Sequence, residues 1–358
     1  MRAGATRVLA TLALALACTR CGARTGLGGI GGNAQADAGV PDASPSDASG
    51  VDAGVLDASM PDVMVPATGA LLFGGIGPSG TNYDFDDTWL FDGAAWFQLH
   101  PPAAPSQRVY PAAARLGSNV VLFAGSGPYV GPYLDDTWTW NGAMWTQAMT
   151  PPALSQRDSA AAATLDGRVV LFGGTIGETS FDDTWTWDGA TWTQVMTSPS
   201  PEARGAAVMA TVGDVVVLFG GLDQGKRFLN DTWTWDGKAW TQQQPATSPS
   251  TRDVVAAAAT PDGTLLIFGG EDGTNGNVLD ETWVYSGITW TQLHPTRSPP
   301  ARVGAVMATV GDRVYLYGGD GGYSDNELAD TWTWDGVTWT QLNIPGPPAR
   351  VAAAFVSP

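Results

Sequence analysis

The stretch Asp183-Thr184-Trp185-Thr186-Trp187-Asp188-Gly189, followed by Trp192-Thr193-Gln194, decides the fold. Versions of it occur six times, reading DTW in five copies and ETW in one. The first Trp stands at Trp89, Trp138, Trp185, Trp233, Trp283 and Trp332, in steps of 49, 47, 48, 50 and 49 residues. A period near 50, rich in Gly, Trp and short β-prone runs, is the signature of a radial array of small sheets.

Each repeat reads as four strands, and the third repeat shows how. Arg157 opens a first strand through Ser159 and Ala160 to Thr164. Asp166-Gly167 makes a tight hairpin turn. Val169 to Phe172 forms an apolar second strand ended by Gly173-Gly174, and a loop leads to Asp183. Thr184 to Trp187 is the third strand, Asp188-Gly189 turns it, and Trp192 to Gln194 is the fourth. Alanine-rich first strands suit an axis where only small side chains fit the taper. The Trp residues belong further out, where diverging sheets leave a gap to fill.

Five Gly-Gly doublets after an apolar strand, with Ala124-Gly125 as the departure, precede each Asp-Thr-Trp and its later Trp. In this the chain resembles Kelch repeats over residues 69–358. The resemblance implies an all-β, six-bladed Kelch-type β-propeller. The chain enters at Ala70 to Phe73, a second strand, and leaves at Arg350 to Phe355, a first strand. The C-terminal strand should therefore complete blade 1 and protect the edge of the ring.

Upstream of the repeats, residues 1–17 read as a signal peptide. Arg2 and Arg7 precede the apolar run Val8 to Ala17, which is too short to span a bilayer. Ala15-Leu16-Ala17 before Cys18 resembles a bacterial lipoprotein signal, with Cys18 as the lipidated residue. It departs from that pattern by Ala15, and the same residues fit ordinary signal-peptidase cleavage. Residues 18–68 then read as a disordered linker, with Asp37, Asp42, Asp47, Asp52, Asp57 and Asp62 five apart among Ala, Ser, Pro, Gly and Val. Isolated acids at that spacing do not converge on a calcium ion. The expected address is outside the cytoplasm: a bacterial outer-membrane or surface lipoprotein, or a secreted protein.

Composition narrows the function. The net charge is −18, against nucleic acid as a partner and against anionic membrane surfaces; only an N-terminal lipid would tie the chain to a membrane. The two cysteines, Cys18 and Cys21, lie outside the repeats, so no disulfide or thiolate metal site holds them. No cofactor is implied. No nucleophile–His–acid pattern, phosphate-binding loop or clustered His, Tyr and Cys for copper chemistry is visible.

In an antiparallel meander the two–three and four–one connections share a face, and these are the long ones. Rigidly held loops carry recognition, so this is the expected binding face. Six arginines recur on it, Arg108, Arg157, Arg204, Arg252, Arg302 and Arg350, with six acids, Asp87, Asp136, Asp183, Asp231, Glu281 and Asp330. Their equal number and regular spacing read as one structural ion pair per blade rather than an anion site. Tyr83, Tyr129, Tyr133, Phe228 and Tyr323 do not recur and are the candidate ligand contacts. The expected function is a non-catalytic, monomeric binding or scaffold module for a protein or polysaccharide. The alternatives are a glycan-acting hydrolase or lyase, and an inert surface protein. Fold alone does not choose among them.

Overall fold

The structure, a computed structural model, describes residues 69–78, 85–127, 131–273, 276–322 and 326–357. The signal-like run, Cys18, Cys21 and the linker lie outside these.

Among the described residues there is no helix, and six four-stranded antiparallel sheets form the blades. In blade 3 the strands are Ala161–Leu165, Arg168–Phe172, Thr184–Trp187 and Trp192–Val195, paired in that order. Blade 1 joins Ala70–Phe73, Thr88–Phe91 and Trp96–Leu99 to the C-terminal strand Ala354–Val356, with Leu72 opposite Phe355. Each inner strand touches the inner strands of the blades on either side, and the series returns on itself through Ala354–Val356. The protein is a six-bladed β-propeller closed by its C-terminal strand.

Second strands are buried on both faces, as in Val169, Val170, Leu171 and Phe172, because each packs on both neighbouring blades. The inner strands surround an axial cavity of about 180 Å³ walled by alanine and valine. The fourth-strand Trp residues are 1–8% exposed and fill the wedge between blades.

The inner strands begin later than the sequence reading has them. Ala161, not Arg157, opens the strand of blade 3, and Val208, not Arg204, that of blade 4. The reason is a left-handed residue two positions after every Arg: Tyr110, Ser159, Ala206, Val254, Gly304 and Ala352, with φ between 49° and 63°. Such a residue bends the chain out of the pleat. These residues also bond one another around the axis. Ser159 N–H donates to the Tyr110 carbonyl, Ala206 to Ser159, Gly304 to Val254, Ala352 to Gly304 and Tyr110 to Ala352. The bonded annulus frames the axial opening on the long-loop face.

Candidate functional site

Every letter of the Asp-Thr-Trp motif has a partner. The acid takes an arginine of its own blade: Arg108 with Asp136, Arg157 with Asp183, Arg204 with Asp231, Arg252 with Glu281, Arg302 with Asp330 and Arg350 with Asp87, all at 2.6–2.7 Å. The five Asp pairs are bidentate, as in Arg204 Nη1 and Nη2 to the two oxygens of Asp231 at 2.6 and 2.8 Å. The arginines are essentially fully buried, while the acids keep 16–31% of their side chains exposed. The next Trp donates to the same carboxylate, as Trp233 Nε1 does to Asp231 at 2.7 Å. Burial opposes ionisation of Asp136, Asp231, Asp330 and Glu281; the arginine outweighs it and holds them below the usual carboxylate range.

The motif's Thr joins blades. Trp192 Nε1 donates to Thr137 of the preceding blade at 2.9 Å, and the same bond recurs at all six interfaces, including Trp96 to Thr331 across the closure. Each Arg also ties blades through its main chain. Arg204 N–H donates to the Phe181 carbonyl, and the Arg204 carbonyl accepts from Gly174 N–H. The glycine doublet makes this approach possible, since a Cβ on Gly173 would lie 2.5 Å from the Arg204 carbonyl oxygen.

The candidate aromatic contacts do not form one patch among the described residues. Tyr133 is half-buried and bridges to Ser126. Phe228 is half-buried and fills the space over Gly273 of the next blade, where a Cβ would lie 2.5 Å from its own. Tyr83, Tyr129 and Tyr323 lie outside the described residues.

Residues 143–319 match the KLHDC2/KLHL20/DRC7 Kelch-repeats domain. These are Kelch repeats. No curated protein matches the chain. Kelch propellers are usually non-catalytic and commonly serve as protein-interaction scaffolds.

At the centre of this Kelch propeller's long-loop face lies a second set of acids. The residue after each Arg pairs with the first residue beyond the glycine doublet: Asp158 with Thr175, Asp253 with Glu271, Val303 with Asp320. Asp158, Glu271 and Asp320 are each 8% exposed, and Asp253 is 0% exposed. Asp158 accepts from Thr175 Oγ1 at 2.7 Å, and Asp320 from Gly322 N–H at 2.8 Å. Neither oxygen of Asp253 has a hydrogen-bond partner. Burial first, then the Glu271 charge, pushes the Asp253 carboxyl up to about 8. Burial also raises Asp158 and Glu271. No group of three His, Cys, Asp or Glu among the described residues is placed to hold a metal ion.

Sequence reasoning missed both the Thr–Trp bonds and this central cluster. The Thr bonds left a signal, the strict recurrence of Thr between acid and Trp. The cluster left almost none, because the position after Arg reads Val, Asp, Gly, Asp, Val and Val around the ring.

Proposed function

We propose that the protein is a non-catalytic binding module that engages a protein or polysaccharide through its long-loop face. The observation that carries this reading is a contrast between charges on that face. The six paired acids are spent on arginine, while the residue just before them is exposed and acidic in four blades: Asp86, Asp135, Asp182 and Asp280. None of these four ion-pairs with a described residue. Unfastened charge repeated on one face of a rigid scaffold is a recognition surface in search of a partner of opposite sign. Met149 and Met196, 86% and 85% exposed, add apolar contact at the same position of adjacent blades on that rim. Asp253, the one acid with a raised value near 8, is fully buried and out of a substrate's reach, so it does not favour the hydrolase reading.

The module is displayed outside the cytoplasm, on a bacterial envelope through a lipid on Cys18 or in secreted form. The signal-like residues before Cys18 support this. Cys18→Ser should release or misprocess the protein, and an unmodified mature N-terminus seen by mass spectrometry would overturn the lipid anchor. The binding reading is tested with the purified protein on glycan and envelope-protein arrays. Capture should fall for Asp135→Lys with Asp182→Lys on the long-loop face, and not for Asp188→Lys with Asp236→Lys on the other. Capture that follows the opposite face, or none at all, would refute it.

A further inference from the structure

The centre of the long-loop face is built around one phenol. Tyr110 lines the axial opening on the annulus of left-handed residues. Burial first, and then the charges of Asp158, Asp253, Asp320 and Glu271, push its hydroxyl well above the usual range. Those four acids come from blades 3, 5 and 6, and Tyr110 belongs to blade 2. Asp158 and Asp253 immediately precede Ser159 and Val254 of the same annulus, and Ser159 N–H donates to the Tyr110 carbonyl, so both acids stand beside the rim that carries the phenol.

Asp253 shows that this is more than a patch of like charge. Its two carboxylate oxygens are buried and without a partner, a costly state for a native structure to keep. Val303 and Val351 stand at the equivalent position in other blades, so packing does not require an acid there. Asp253 lies directly across a two-residue ladder from Glu271, and Val254 beside it stands on the annulus, so it lies just behind the opening. Arg252 beside it is taken by Glu281. No described Lys or Arg ion-pairs with Asp158, Asp253 or Glu271.

We propose that the axial mouth is a cation subsite, in which Tyr110, Asp158 and Glu271 receive an ammonium or guanidinium group from a basic peptide segment of the partner, with Asp253 behind them. The proposal rests on the long-loop face being the binding face. A phenol with buried carboxylates beside it suits an organic cation through cation–π attraction and charge-assisted hydrogen bonds. The lack of three converging ligands among the described residues disfavours a metal ion.

Binding carries a proton signature. The charge acting on Asp253 is that of Glu271 on the paired strand; on the same ladder Arg252, held by Glu281, stands opposite Asp272. Empty, the Asp253 carboxyl titrates near 8 and is mostly protonated at pH 7. An arriving cation favours the carboxylate, so the proton leaves and affinity rises with pH up to that value.

The test is calorimetric titration of the protein with pentalysine at pH 7, in buffers of differing ionisation enthalpy. The expected result is saturable binding with release of a fraction of one proton. Glu271→Gln should weaken binding by about tenfold or more. Asp253→Val, a residue the fold already accepts at that position, should abolish the proton release. Asp188→Asn with Asp236→Asn on the opposite face should change neither. If Glu271→Gln fails to fold, Asp158→Asn takes its place. Binding without proton release, equal binding by all variants, or no binding would each overturn the cation subsite. Array capture that persists on the long-loop face through such a result would leave the broader function standing.

Discussion

Two sets of carboxylates share one face of the propeller and live under opposite terms. The outer set, one per blade, meets a buried arginine and an indole N–H, and Asp136, Asp231, Glu281 and Asp330 are held ionised by it. In the inner set, Asp158, Asp253 and Glu271 ion-pair with no described arginine, and burial pushes them toward the neutral form. Residue type therefore says little about role here; the partner decides. A satisfied acid fastens a blade, and an unsatisfied acid is held in place by a scaffold made rigid by the satisfied ones. An unpartnered acid can persist at the axis because closure, six Trp–Thr bonds and six ion pairs fix the frame around it.

Breaking a fastener should give the largest effect. Arg204→Ala leaves Asp231 with only its Trp233 bond and strips a donor from the Gly220 carbonyl. The expected loss is about 2–4 kcal/mol, below the upper end for fully buried pairs because Asp231 keeps a fifth of its side chain in water. Asp231→Asn should cost a similar amount, and the double mutant less than the sum. Chemical denaturation of the four proteins checks this. A loss under about 0.5 kcal/mol with no coupling would mean the ring does not fasten the blades.

The fold was legible because its signals repeat. Six DTW cores, glycine doublets and a chain that enters on a second strand lead to six blades and a C-terminal closure, since averaging over copies removes local ambiguity. The fasteners were half legible. Arg and acid recur, yet the choice for Arg204 between Asp183 and Asp231 depends on which way the guanidinium turns, and it turns into its own blade. The inner cluster was not legible, because an acid stands at each of its positions in only two blades of six. A repeat protein's sequence advertises what all blades share and hides what only some of them carry.

Removing the orphaned inner carboxyl should move stability the other way. Asp253→Val replaces a buried acid without partners by the residue found at Val303 and Val351. The expected gain is about 1–3 kcal/mol at pH 8, the desolvation released when an unpartnered polar group is removed. A destabilised variant would show that Asp253 has a partner in solution.

The two sets also predict opposite pH dependences. Asp253 titrates near 8 in the folded chain against an ordinary 3.8, so the folded state holds the extra proton between those values. Its stabilising share is complete below the lower value and is lost as pH rises through the upper one. Four outer acids, Asp136, Asp231, Glu281 and Asp330, have lowered values, so their stabilising share is present above the ordinary carboxylate range and is lost as pH falls through it. Wild-type stability should peak near about pH 4–5 and decline toward 8. Asp253→Val should flatten much of that alkaline decline and leave the acid limb alone. Melting temperatures across pH 3–9 decide it; an unchanged alkaline limb would mean Asp253 is ionised when folded.

The smallest effect tests whether the fastened region is itself fully settled. Ala124 stands where the other five blades have the first glycine of the doublet, and it is held at φ 59°. In those five blades a Cβ would lie 2.4–2.8 Å from the next blade's arginine carbonyl oxygen. Blade 2 must give way locally around Arg157 to accept the Ala124 methyl. Ala124→Gly removes the left-handed penalty of about 1–2 kcal/mol. A more flexible unfolded chain offsets about 0.4–1 kcal/mol of that. The net gain should be about 0.5–1 kcal/mol, with no packing lost beyond one methyl group. The reverse change, Gly173→Ala, meets both the φ of 67° and the carbonyl at 2.5 Å, and should cost more than Ala124→Gly gains. Paired denaturation curves check both signs. A destabilised Ala124→Gly would mean that the Ala124 methyl packs favourably against the neighbouring blade, and that the outer ring has no defect left to relieve.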